Sequence, residues 1–112
     1  MSGMVVTVPW HPTANTGSNF PTNAVRLWGG DVNWRSATAY DAIQAVVGGL
    51  RQAGTREGLQ KVLASSSFSV DGATGKIQFQ PSGDRLGAPL LVKIAPGNRS
   101  GTGFDFVSIP NP

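Results

Sequence analysis

Between Val32 and Ser66 apolar residues recur at helical spacing twice in succession, which commits the middle of the chain to a pair of amphipathic helices. Ala39, Ala42, Ile43, Val46 and Leu50 fall at i, i+3, i+4, i+7 and i+11, a spacing that predicts one continuous buried stripe along a long helix. Asn33 or Ser36 suits its N-cap, and Gly54 suits the left-handed residue that stops it. Gly48 and Gly49 weaken a helix by up to ~1 kcal/mol each relative to Ala, so close packing against another backbone is expected there. Thr55 then caps a second helix, with Glu57 in the first turn where the helix dipole favours an acid. Leu59, Val62 and Leu63 form its apolar face and Ser65–Ser67 ends it. The short link predicts that the two helices pack together.

The flanks read as strands and turns. Met4–Val8 is an apolar run stopped by Pro9 and is expected to be a buried strand. A polar loop over 13–19 follows Trp10-His11-Pro12, and Thr22 caps a short helix that ends at Trp28 before Gly29-Gly30. Asp71–Gly75 is a turn, after which Ile77 and Phe79 alternate with Lys76, Gln78 and Gln80 as a half-buried strand. Leu90, Val92 and Ile94 share one face of the next strand; Phe104, Phe106 and Ser108 alternate in a last one, stopped by Pro110. The expected fold class is α/β, with two packed helices on a small mixed sheet. Residues 4–112 are expected to form a single domain or subdomain; Met1 and Met4 stand so close that residues 1–3 read as an addition.

Composition narrows the function. At 112 residues there is room for one domain at most. The net charge of +3 comes from nine scattered basic residues with no basic stripe and no interleaved aromatics, so nucleic-acid binding is not expected. The absence of cysteine excludes disulfides and thiolate metal sites. No apolar run of about 20 residues is present, and the N-terminus lacks the basic-then-apolar pattern of a signal peptide.

Nothing in the sequence assembles a catalytic or cofactor site. His11 is the one histidine, and the acids Asp31, Asp41, Glu57, Asp71, Asp84 and Asp105 are widely spaced. Asp31 and Asp71 suit turns, and Asp84 stands beside Arg85 in a connection. Asp71–Gly75 lacks the alternating oxygen ligands of a calcium loop. Gly-Ala-Thr-Gly-Lys at 72–76 lacks the spacing of a phosphate loop and precedes a strand. Ser65–Ser67 has no partner base. No metal, no cofactor and no enzyme activity are expected. The tryptophans stand at element ends, where aromatics line clefts or cover a core. Core packing is the reading for Trp10 and Trp28, whereas both roles stay open for Trp34.

The order helix, helix, hairpin, strand, with Tyr40-Asp41-Ala42 near the start of the long helix, Phe68, Gly72, Gly75, Ile77–Phe79, Gly83 and Val92–Ile94, resembles the C-terminal part of type I periplasmic solute-binding proteins, the branched-chain amino-acid receptors of ABC transporters. The resemblance implies a two-lobed parent of which this chain is a C-terminal portion. It implies a non-catalytic role in binding an amino acid or similar solute, a transporter permease as partner, and a periplasmic or cell-envelope location. By position it places ligand contacts on Trp34 or Arg35, with Tyr40 as a third candidate. A solvated Arg35 and a packing role for Tyr40 and Asp41 remain open. A receptor-like sensor and a protein-interaction module are the rival readings, and a cut lobe is expected to self-associate through an exposed apolar patch.

Overall fold

The computed structural model describes residues 1–14 and 17–112, so Asn15 and Thr16 of the polar loop lie outside the described residues. The elements run β1 (Val5–Val8), α1 (Phe20–Trp28), α2 (Trp34–Ala53), α3 (Arg56–Leu63), β2 (Val70–Gly72), β3 (Gly75–Ile77), β4 (Leu90–Pro96) and β5 (Phe104–Ile109). The α/β architecture holds, with the expected sheet divided into two antiparallel pieces. One has the order β1-β4-β5 and the other is the β2–β3 hairpin. Val5 pairs with Lys93 and Leu91 with Ile109, so the first and last strands both flank β4.

The helix signals act where the sequence puts them. Asn33, rather than Ser36, caps α2: its side chain accepts from the Arg35 amide at 2.9 Å. Gly54, at φ 70°, ends the helix and donates its amide to the Leu50 carbonyl at 2.8 Å. The Thr55 hydroxyl accepts from the Gly58 amide at 3.0 Å and starts α3. The first helix begins earlier than the Thr22 cap implies, at Phe20, with Pro21 in its first turn where a missing amide costs nothing.

The buried face of α2 is opposite to the one its hydrophobic spacing indicates. Ala37, Asp41, Ala45 and Gly49 are buried, whereas Ile43 is 61% exposed and Val46, Val47 and Leu50 are exposed beside it. Small residues win the inner face because α3 and the hairpin come very close to the helix. A Cβ on Gly48 would stand 2.5 Å from Val70 Cγ1, and one on Gly49 would stand 2.5 Å from Leu59 Cδ1. The two glycines therefore admit neighbouring side chains, not a second backbone. The bulky stripe is left uncovered among the described residues.

Two small cores result. Ala45, Phe68 and Ile77 pack under α2 and α3, with Phe79 stacked on Phe68 at a centroid distance of 6.1 Å. Trp10, Phe20, Ala24, Val32, Ala37 and Ala73 form the other, joining α1, the start of α2 and the hairpin turn. Two expectations fail here. The first strand is an edge strand in which only Val8 is buried, because its outer face meets no second layer. Trp28 is 63% exposed and touches Phe20 only edge-on, since the last turn of α1 projects from the surface.

The molecule is long for its chain. Its radius of gyration is 16.2 Å and its extents are 49 × 33 × 20 Å. A compact domain of this length has a radius of gyration of roughly 13 Å. Elongation, two separate cores and an uncovered apolar stripe belong together: the chain has layers that are covered on one side only.

Candidate functional site

The start of α2, the chain after β1 and the β4–β5 connection converge on a cleft of about 360 Å³. Its lining includes Trp10, His11, Val32, Trp34, Arg35, Arg99 and Phe106. The Asn33 cap fixes where α2 begins and so brings Trp34 and Arg35 to the rim together. The Arg35 guanidinium lies over the Trp34 ring, 4.6 Å from its centroid, a cation–π contact that orients its remaining N–H groups. Among the described residues, no carboxylate pairs with it.

The opposite wall is built by Asp105. Its carboxylate accepts from the Arg99 amide at 3.1 Å and the Ser100 amide at 3.0 Å, which folds the 97–103 connection back onto β5. Those amides favour the ionised form, so the Asp105 carboxyl is held below its ordinary value of 3.8; the Ser100 side chain and the charge of Arg99 add to this. Arg99 is thereby presented at the rim, where its Nε lies 3.9 Å from Asp31 Oδ2. That pair is exposed, and such pairs contribute little to stability.

His11 stands between the walls. Its Nδ1 is 2.8 Å from the Thr13 hydroxyl, which in turn meets the Ser108 hydroxyl at 2.9 Å and ties the chain after β1 to β5. Partial burial, and then the charge of Arg99, push the imidazole below 6.5, so it is neutral at physiological pH. Trp10 forms part of the cleft lining; it is 1% exposed and its indole Nε1 has no acceptor among the described residues. No group of three or more metal-ligating side chains occurs among the described residues, and no helix is long and apolar enough to cross a membrane.

Of the three residues expected to touch a ligand, two meet in this cleft and one does not. Tyr40 packs against Phe20 at 4.8 Å and borders shallow hollows beside α1 and the hairpin. Its neighbour Asp41 has a packing role. The carboxylate accepts from the Ala73 amide at 2.5 Å, from the amide and hydroxyl of Thr74, and from Arg85 at 2.9 Å. Arg85 thus answers Asp41 and not its sequence neighbour Asp84, which accepts from the Ser82 hydroxyl. Sequence reasoning missed Arg99, Asp105 and Phe106 as members of the cleft, because a connection after the fourth strand carries no sign of where it folds back.

No protein-family model matches the chain, and no curated sequence matches it significantly. The fold, however, recurs in solved structures. A leucine-binding protein, LivK, from Thermotoga maritima superposes with a TM-score of 0.70 at 20% identity, over 99% of this chain and 31% of that one. A solute-binding protein of an ABC transporter from Rhodopseudomonas palustris, in complex with 3,4-dihydroxybenzoic acid, gives a TM-score of 0.70 at 16% identity, over 96% of this chain and 30% of that one. The chain therefore has the fold of one part of a two-lobed periplasmic solute-binding protein and spans less than a third of the length of these two.

Proposed function

We propose that the chain is part of a non-catalytic receptor that captures a small carboxylated solute, an amino acid or a similar acid, for an ABC-type uptake system. The observation that carries this reading is the cleft at the start of α2, where Trp34 and Arg35 meet Arg99 across an open rim. An aromatic ring beside a positioned guanidinium is a pair suited to an apolar body with an acidic end. The two similar structures are proteins described as binding leucine and 3,4-dihydroxybenzoic acid. The likeness to these two proteins supports the solute class and the transporter partner, and a cell-envelope location accords with that role.

The same reading makes residues 4–112 a subdomain of a larger receptor. The uncovered face of α2 and the elongated shape support it, since both are relieved by a further layer. A cleft with one wall binds weakly, because affinity needs most of the ligand surface enclosed. Titration of the isolated chain with an amino-acid pool, followed by amide NMR, is expected to move the Trp34 and Arg35 signals only at millimolar concentrations. Micromolar affinity would overturn the partial-receptor reading, and an unmoved Trp34 and Arg35 would overturn the site.

A protein-interaction module of the same fold is a second reading, favoured by Ile43, Val46, Val47 and Leu50 on the open face of α2. It predicts a binding energy that resides in that stripe and not in the cleft.

A further inference from the structure

We propose that the hollow beside α1 is a second binding site, separate from the cleft, and that it takes a neutral sugar ring. The proposal stands apart from the receptor reading above, because none of its residues lines the cleft at the start of α2.

Helical geometry builds one wall. Residues four apart on α1 stand one above the other. Phe20, Ala24 and Trp28 make one such row; Asn19, at the cap, Asn23 and Leu27 make the next. A row that carries rings therefore runs beside a row that carries amides. Tyr40 closes the hollow from α2. The buried Phe20 holds both flanking rings, with centroids 4.8 Å from Tyr40 and 6.2 Å from Trp28. The enclosed space is about 370 Å³, within the range of roughly 300–1,000 Å³ typical of small-molecule sites.

The lining sets the chemistry of the ligand. Trp28 is 63% exposed, so its indole forgoes the burial that ordinarily stabilises such a ring and offers its face to an occupant. The side-chain amides of Asn19 and Asn23 and the Tyr40 hydroxyl make no hydrogen bond among the described residues. No charged side chain lines the hollow, so an ion finds no partner there and the ligand is neutral. An amide carries both donors and an acceptor, as does each hydroxyl of a neighbouring pair. Two amides in a row therefore match a ring of hydroxyls better than a run of peptide carbonyls, which only accept. The C–H face of the same ring lies against the aromatic side chains. A pyranose joins these two features, which charged or purely apolar molecules do not.

The test uses the chain labelled with nitrogen-15. It follows the Trp28 indole N–H and the side-chain amides of Asn19 and Asn23, with the Trp34 indole in the cleft as the reference. Cellobiose, maltose and lactose are titrated beside sorbitol, an open-chain polyol with no rigid C–H face, and beside hexaproline, which tests capture of a proline-rich peptide on the same rings. At least one disaccharide is expected to move all three groups with a single millimolar midpoint, several-fold below that of sorbitol, while Trp34 stays still. Raised salt is expected to leave that midpoint unchanged. Trp28→Ala, at an exposed position, is expected to abolish the Asn19 and Asn23 shifts with the Ala73 and Thr74 amides unmoved as proof that the fold is kept. Asn23→Ala is expected to weaken binding several-fold. No shift with any disaccharide, or an equal response to sorbitol, would overturn the proposal. Movement with hexaproline alone would make the hollow a peptide groove and overturn the sugar assignment.

Discussion

Asp41 and Arg85, 44 residues apart in sequence, meet at 2.9 Å beside the turn of the β2–β3 hairpin. The acid is buried and the arginine is 32% exposed, and the pair ties α2 to the hairpin turn and to the connection after the hairpin. Removing one partner of a buried pair strands the other and the amides it satisfied. Asp41→Ala is expected to cost roughly 3 kcal/mol, at the low end for such a pair because Arg85 keeps access to water. Arg85→Ala should cost clearly less. Urea unfolding of both variants checks the order, and a reversed order would mean that the hairpin is held by something else.

Gly48 and Gly49 give a sharper test of the inner face of α2. Alanine gains up to ~1 kcal/mol in helix propensity at either site. At Gly49 the obstructing atom is the flexible end of Leu59, which can swing aside, so Gly49→Ala is expected to be near neutral. At Gly48 it is the branched Val70, which is stiff, and overpacking costs of about 1–3 kcal/mol apply. Thermal unfolding should therefore separate two chemically identical substitutions at adjacent positions.

These positions also mark how far the sequence can be read. The caps Gly54 and Thr55, Asn33 as one of two cap candidates, the strand around Val92 and the turn at Gly72–Gly75 are local signals that appear where they were expected, whereas the strand after that turn ends at Ile77 and leaves Phe79 in an isolated bridge to Arg85. The inner face of α2 is a tertiary outcome. Hydrophobic spacing locates the stripe at Ile43, Val46 and Leu50 correctly, but says nothing about which stripe this chain itself covers. Trp34 and Arg35 came from the family resemblance, and the structure places both on one cleft. Arg99 and Asp105 were not legible, since their place depends on a fold-back fixed by two backbone amides.

His11 should titrate below 6.5, because partial burial and Arg99 both disfavour its charged form. A base depressed in the folded state leaves stability highest above 6.5 and lowers it as pH falls through that value towards the folded midpoint. Proton NMR of the imidazole gives the midpoint directly. Arg99→Gln is expected to raise it, leaving the burial contribution in place; an unchanged midpoint would remove Arg99 from the electrostatics of the cleft.

Asp105 makes the opposite prediction at lower pH. Its carboxyl titrates below 3.8, so its hold on the connection is complete above 3.8 and is lost as pH falls through the lowered folded value. The amide signals of Arg99 and Ser100 should move together across that acidic window. Asp105→Asn should abolish the movement and loosen the 97–103 connection, visible as faster hydrogen exchange.

The open stripe of α2 predicts association at high concentration. Sedimentation velocity of the isolated chain is expected to show a concentration-dependent shift towards a larger species, and Ile43→Ser should weaken it several-fold because Ile43 is the most exposed of the large side chains in the stripe. A monomer at all concentrations would mean that the stripe is too small or too broken to drive contact.

The register that pairs Val5 with Lys93 has a consequence for how the chain reaches this fold. The unit from α2 through β3 is contiguous in sequence, and its contacts close short loops. Within the sheet β1-β4-β5 the β4–β5 hairpin is local, whereas β1 reaches β4 across nearly the whole length of the chain, and such contacts form only after a long loop has been closed. The β1 strand consequently knits last and opens first. In hydrogen exchange the amides of β1 are expected to lose protection before those of α2, so the side of the cleft that follows β1, at Trp10 and His11, is less durable than the side built by α2.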